Sequence, residues 1–195
     1  MPVPARYSES VALDRRVLDE GLRYFAADKK RLDALSLAFI NLSAHTFGSA
    51  SFLEYIYERT RFYNFPAEKL CFEISERTAV TRLEDAKEFV DALRQMGCRF
   101  ALDNFGRGSY SFRYLKELPV DFVKIDGSLV QNILKDPTDL VMVRSISEVA
   151  RLSNTVTIAE HVEDADILRK IGEIGVDFAQ GFAVGRLAPI GRKAA

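Results

Sequence analysis

Lys69-Leu70-Cys71-Phe72-Glu73-Ile74-Ser75 carries the alternation that decides the fold. A strand points successive side chains to opposite faces, so Leu70, Phe72 and Ile74 share one face while Cys71 and Glu73 share the other. Leu37–Ser43 repeats the pattern, with Phe39 and Asn41 on one face and Ile40 and Leu42 on the opposite one. Four later apolar runs also carry a polar or proton-handling residue at or near their ends: Arg99–Asn104 with Asp103, Phe122–Asp126 with Lys124, Thr155–Glu160 with Glu160, and Phe178–Val184 with Gln180. Amphipathic helices are predicted between them. Ser10–Ala26 has Val11, Leu13, Val17, Leu18, Leu22 and Phe25 at helical spacing, and Phe52–Phe65 precedes Pro66. Glu84–Met96 stops at Gly97, Pro137–Leu152 opens on proline, and Asp164–Glu173 closes the series.

Alternating strands and helices predict an α/β fold with a parallel sheet. An open doubly wound sheet collects its ligand at one switch point from a few strand ends. Here six strand ends carry chemistry, which favours a barrel whose carboxyl ends meet at one face. A full eight-unit barrel takes about 250 residues; this chain has 195 and shows six such units. The deficit is placed at the N-terminus, where a strand before the first helix is expected and absent. One domain is predicted over 1–190, with a disordered tail over 191–195.

A hydrophobic content of 48%, a charged content of 28% and a net charge of −1 fit a folded domain and supply no global field toward nucleic acid or membrane. No apolar run approaches the roughly 20 residues of a membrane span, and Met1–Glu9 is not a signal peptide, so a cytoplasmic protein is expected. Cys71 and Cys98 read as small buried hydrophobes in a reducing compartment.

The strand-end residues lie in a specific order of motifs. These are Ile40-Asn41-Leu42-Ser43, Phe72-Glu73-Ile74-Ser75-Glu76, Asp103-Asn104-Phe105-Gly106-Arg107-Gly108, Val123-Lys124-Ile125-Asp126, Ala159-Glu160-His161-Val162-Glu163 and Gln180-Gly181-Phe182. The set resembles the EAL-domain family of cyclic di-GMP phosphodiesterases over roughly Tyr7 to Pro189. The resemblance implies a TIM-like β/α barrel that opens cyclic di-GMP to linear pGpG with two Mg²⁺ or Mn²⁺ ions. It also implies roles for single residues. Asn41, Glu73, Asp103 and Glu160 are similar to the metal ligands, with Asn104 in the same shell. Lys124 resembles the residue that holds and activates the attacking water, and Gln180 the position that orients water or substrate. Glu76 resembles the anchor of the loop Asp103–Ser111, and Arg107 is taken as a substrate contact beside Lys124 and Gln180. Hard oxygen donors suit these ions, and paired divalent ions suit an anionic diester.

Three departures bear on activity. The Glu-Ala-Leu motif of the first strand has no counterpart, and Asn104 stands where family catalysts carry a second aspartate. In the loop, Arg107 replaces a small residue and Ser109-Tyr110 departs from the usual Tyr-Ser. Glu73, Asp103 and Glu160 supply three negative charges against the four of two divalent ions. Each lost carboxylate costs roughly 1.5–3 kcal/mol of site affinity. At most one ion is expected, and the chain is read as inactive or impaired. The alternative is a non-catalytic module that binds cyclic di-GMP or a protein. A homodimer and a fused sensory or GGDEF domain are further expectations; nucleic acid is not. Whether the chain is a natural truncation or part of a longer protein is left open.

Other residues draw structural readings. A polar network of Glu73, Glu160 and Gln180, or a buried Lys124–Asp103 ion pair, would explain those residues without catalysis. Asp126 reads as structural and Glu163 as a local ion-pair residue. His45 and His161 lack metal-ligand spacing. Gly106 and Gly108 read as loop geometry rather than a phosphate-binding loop, since no Lys-Ser/Thr follows.

Overall fold

The computed structural model describes residues 3–108, 115–186 and 188, with side chains from Glu9 onward. The expected tail 191–195 and the departure at Ser109-Tyr110 lie outside the described residues. Six strands follow one another in chain order in a sheet, and the described pairings are parallel. The chain divides into two compact units, residues 1–74 with 82–100 and 188–195, and residues 75–81 with 101–187.

The first unit holds α1 (Val3–Ala26), α2 (Lys29–Ala34), β1 (Ala38–Asn41), α3 (Ala50–Phe62), most of β2 (Leu70–Ser75) and α5 (Leu83–Gln95). β1 pairs with β2 in the register Ile40–Phe72 and Asn41–Glu73. Ile40, Leu42, Leu70, Phe72 and Ile74 are buried, as the alternation requires, and so are Phe52 and Ile56 of α3 and Phe89 and Leu93 of α5. Each such side chain contributes roughly 1.5–3 kcal/mol.

The apolar stripe predicted for α1 needs correction. Leu13 and Val17 are 59% and 46% exposed, and the buried line runs Asp14, Leu18, Leu22, one turn apart. Asp14 can face inward because its Oδ2 accepts the backbone N–H of Ser43 at 2.8 Å, which removes the cost of an unpaired buried carboxylate. α2 was not predicted; the Asp28 side chain caps it by accepting the N–H groups of Lys30 and Arg31. Cys71 and Cys98 are free and buried, and burial, with Glu68 nearby, pushes the Cys98 thiol up to about 12.

The second unit holds α4 (Glu76–Thr81), most of β3 (Arg99–Phe105), β4 (Phe122–Ile125), α6 (Gly127–Val130), α7 (Pro137–Leu152), β5 (Val156–Ala159), α8 (Ala165–Ile174) and β6 (Phe178–Ala179). α7 matches its predicted bounds, with Pro137 at the first turn and Asp136 accepting the N–H of Thr138. α8 begins after the Asp164 cap and ends at Gly175, whose φ of +89° closes the helix. The β6 prediction, Phe178–Val184, shortens to two residues. A Cβ at Gly181 would lie 2.3 Å from the backbone O of Val162, so the chain there is pressed against Val162 rather than running on as a strand.

The β3–β4 register shifts between Leu102 and Phe105, and Asn104 within that interval has φ +55°. An irregularity of this kind re-aims side chains at the end of a strand. Asparagine tolerates the left-handed conformation better than most residues.

Candidate active site

In the second unit, three strands each place one charged side chain at a common centre. Lys124 of β4 lies with its Nζ 2.9 Å from Glu160 Oε1 and 3.5 Å from Asp103 Oδ1. All three side chains are largely buried, at 6%, 13% and 15% exposure for Lys124, Glu160 and Asp103. Glu160 follows β5 directly, and its N–H reaches the Ile125 carbonyl at 3.2 Å, which fixes it beside β4. Lys124 is therefore paired more closely with Glu160 than with Asp103, the partner named in the structural reading. Burial holds the Glu160 carboxyl above its ordinary range; the Lys124 charge opposes this, and Asp103 reinforces it.

Asp103 is held from one side only. Its Oδ2 accepts the side-chain N–H of Asn104 at 2.7 Å, whereas its Oδ1 is buried with no hydrogen-bond partner. The Lys124 ammonium at 3.5 Å is a counter-charge for Oδ1 but does not form a hydrogen bond with it. A buried anionic oxygen that accepts no hydrogen bond fits a hard cation. Among the described residues no three His, Cys, Asp or Glu side chains gather closely enough to hold a metal.

Gln180 follows β6, where its N–H bonds the Ala159 carbonyl at 2.8 Å and its carbonyl accepts from Val162 at 3.0 Å. It lines a hollow of about 230 Å³ with Glu160, His161 and Glu163. Glu76, 4% exposed at the start of α4, accepts the N–H of Gly106 on Oε2 at 3.1 Å, tying the segment after β3 to α4. Asp126 caps α6 through the N–H of Ser128 at 2.9 Å and through the Ser128 hydroxyl. Glu163 accepts from the Gln131 amide at 3.0 Å, so its partner is a neutral group rather than the ion pair expected from sequence. His161 is an exposed residue with φ +53°, its ring packed over Gly127.

In the first unit, Asn41 and Glu73 are register partners at the ends of β1 and β2. Asn41 is exposed and Glu73 is 3% exposed; the Leu42 N–H bonds the Glu73 carbonyl at 2.8 Å.

Arg77 is a residue the sequence reading missed. With Ser75, Glu76, Asn104, Arg107 and Gly108 it lines a second hollow of about 590 Å³. Its signal in the sequence was slight, a basic residue directly after the Phe72–Glu76 motif.

A parallel β/α fold with charged groups gathered beyond its strand ends defines a class of protein that handles small ligands there. The chain belongs to the EAL domain family, whose model matches residues 1–186. It is 42% identical over 151 residues to cyclic di-GMP phosphodiesterase PdeB of Shewanella oneidensis, covering 77% of this chain and 18% of that protein. It is 32% identical over 190 residues to cyclic di-GMP phosphodiesterase PdeF of Escherichia coli, covering 97% of this chain and 25% of that protein. The chain thus spans a quarter or less of these relatives. Among solved structures, the PaMucR phosphodiesterase in complex with c-di-GMP matches with a TM-score of 0.88 at 28% identity, over 95% of this chain and 75% of that one. The FimX EAL domain from Pseudomonas aeruginosa bound to c-di-GMP matches with a TM-score of 0.80 at 26% identity, over 89% and 69%. The fold class is accordingly α/β, the TIM-like arrangement of EAL domains. Among the described residues, no helix is long and apolar enough to cross a membrane.

Proposed function

We propose that this chain is a cyclic di-GMP signalling domain that binds the dinucleotide and hydrolyses it to pGpG slowly or not at all. The observation that carries the reading is the Asn104 amide donating to Asp103 at 2.7 Å. An aspartate at position 104 would add a second carboxylate there. The asparagine instead engages one Asp103 oxygen and brings no charge, so the centre lacks the anionic charge that a second divalent ion needs.

Asp103 and Glu160 are the residues proposed to hold a single Mg²⁺ or Mn²⁺, with Asn41 and Glu73 proposed as ligands on the strength of their motifs. When bound, the ion would supply Lewis-acid neutralisation of phosphodiester charge. Lys124 fixes the orientation of both carboxylates and keeps a positive charge at the centre. Gln180, beside Glu160 in the smaller hollow, presents an amide that can orient a polar group of the ligand.

The proposal extends to self-association, since Phe39 on β1 and Phe178 on β6 are 40% and 59% exposed. A protein partner, a fused sensory or GGDEF domain and a cytoplasmic location belong to the same reading.

The test is pGpG formation with Mn²⁺, followed by chromatography, beside a cyclic di-GMP binding titration. Binding without turnover is the expected result. Rapid turnover sinks the impaired-enzyme reading, and absence of both favours the protein-interaction alternative.

A further inference from the structure

We infer that the hollow bounded by Ser75, Glu76, Arg77, Asn104, Arg107 and Gly108 is a phosphate subsite in which two guanidinium groups hold an anionic phosphodiester without a divalent ion. This deepens the reading that the chain binds cyclic di-GMP, and it rests on that reading.

The hollow, about 590 Å³, lies within the usual size range of ligand sites. Arg77 and Arg107 are both exposed residues on its wall, and neither guanidinium makes a hydrogen bond or ion pair with another described residue. That contrasts with Arg16, Arg59, Arg82, Lys87, Arg169 and Lys170, which each lie against a carboxylate. A guanidinium presents a planar fork of donors that matches two phosphate oxygens at once.

The charge balance at the hollow is positive. Its one carboxylate, Glu76, is 4% exposed and engaged through Oε2 by the Gly106 N–H. Asn104, the remaining side chain of the β3 end, is neutral. Among the described lining residues, two positive charges therefore face one buried negative charge, one oxygen of which accepts a backbone N–H.

The scaffold under Arg107 is fixed. Gly106 has φ +91°, and a Cβ there would meet Ile146 Cδ1 at 2.7 Å and Leu129 Cδ1 at 3.0 Å, so its backbone sits directly on the α6–α7 side chains. Together with the Glu76 bond, this restrains the backbone one residue before Arg107. A restrained backbone loses less freedom on binding than a mobile one. The chain thus offers guanidinium charge, Arg107 on a restrained backbone, where Asn104 has weakened the case for a second ion.

The experiment is calorimetric titration of the intact chain with cyclic di-GMP, once in EDTA and once in Mg²⁺. It is repeated on R77Q/R107Q and on R107K, with circular dichroism to establish that each variant is folded. Wild type is expected to bind in EDTA. The double glutamine variant should weaken binding by about 10-fold or more per arginine, and R107K by less, because lysine keeps the charge and loses the fork. The salt dependence of the affinity should also fall in the double variant. Unchanged affinity in R77Q/R107Q overturns the subsite and leaves the cyclic di-GMP reading standing. Binding that requires Mg²⁺ overturns the metal-free mode. Absence of wild-type binding in both buffers overturns the cyclic di-GMP reading itself, and the subsite with it.

Discussion

Two clusters of charge in the second unit are built on opposite terms. At the end of β4, one buried cation, Lys124, is shared by two part-buried carboxylates, Glu160 and Asp103. In the hollow beside α4, two exposed cations, Arg77 and Arg107, have no such partner among the described residues. In the first cluster the charges hold one another, so the fold depends on them. In the second they are left to solvent, so the fold gains little from them and a ligand can gain much. Folding and binding are thereby assigned to different cations within one unit, and substitutions should separate the two.

The largest effect is expected at Lys124. Lys124→Met leaves Glu160 and Asp103 buried together without a counter-charge, at a cost of about 3–5 kcal/mol in urea unfolding with EDTA present. The penalty should shrink in acid. Burial, opposed by Lys124 and reinforced by Asp103, already raises the Glu160 carboxyl above its ordinary value of 4.5. The folded state therefore binds that proton more tightly than the unfolded state, and stability falls as pH rises from 4.5 through the raised value. Removing the ammonium widens that window upward. A pH-independent penalty would break the contrast between the clusters.

Asn104→Asp comes next. It exchanges the amide donor to Asp103 for a second carboxylate at 2.7 Å spacing, and should cost about 2 kcal/mol without metal. Mn²⁺ should restore much of the loss and bind more tightly than to wild type, both read by calorimetry. Loss of stability that Mn²⁺ does not relieve would show that Asp103 is not open to a cation.

The sequence made these clusters legible to different degrees. Lys124, Asp103 and Glu160 stand at or just after the ends of apolar runs set off by helical stretches, and each strand was placed to within about a residue. The finer arrangement depends on features that periodicity does not carry. The register shift at Asn104 is a property of the β3–β4 pair rather than of either strand. α4 and α6, of six and four residues, are too short to show a helical period, and Arg77 lies on α4. The inward turn of Asp14 depends on the Ser43 N–H, 29 residues away along the chain. Motifs thus located the residues with chemistry, while tertiary partners decided which of them are compensated.

A smaller effect is expected at Gly106, which joins the two clusters along the chain. Gly106→Ala forces a left-handed residue to carry a Cβ against Ile146 and Leu129, and should cost about 1–2 kcal/mol. Because the change also displaces Arg107, cyclic di-GMP affinity in EDTA should fall along with the unfolding midpoint. Full affinity in a destabilised Gly106→Ala protein would mean that the hollow does not depend on the scaffold beneath it.

The smallest effect on folding belongs to the arginines themselves. An exposed side chain with no partner loses little when it is shortened, so R77Q/R107Q should unfold within about 0.5 kcal/mol of wild type. Removing two like charges that share a hollow relieves some repulsion, so any shift should be toward greater stability at low salt and should vanish at high salt. The same protein is the one expected to lose dinucleotide affinity. A stability loss comparable to that of Lys124→Met would place Arg77 and Arg107 among the charges the fold depends on, and the distinction between the two clusters would fail. Unchanged stability with weakened binding would separate the two tasks in a single pair of titrations.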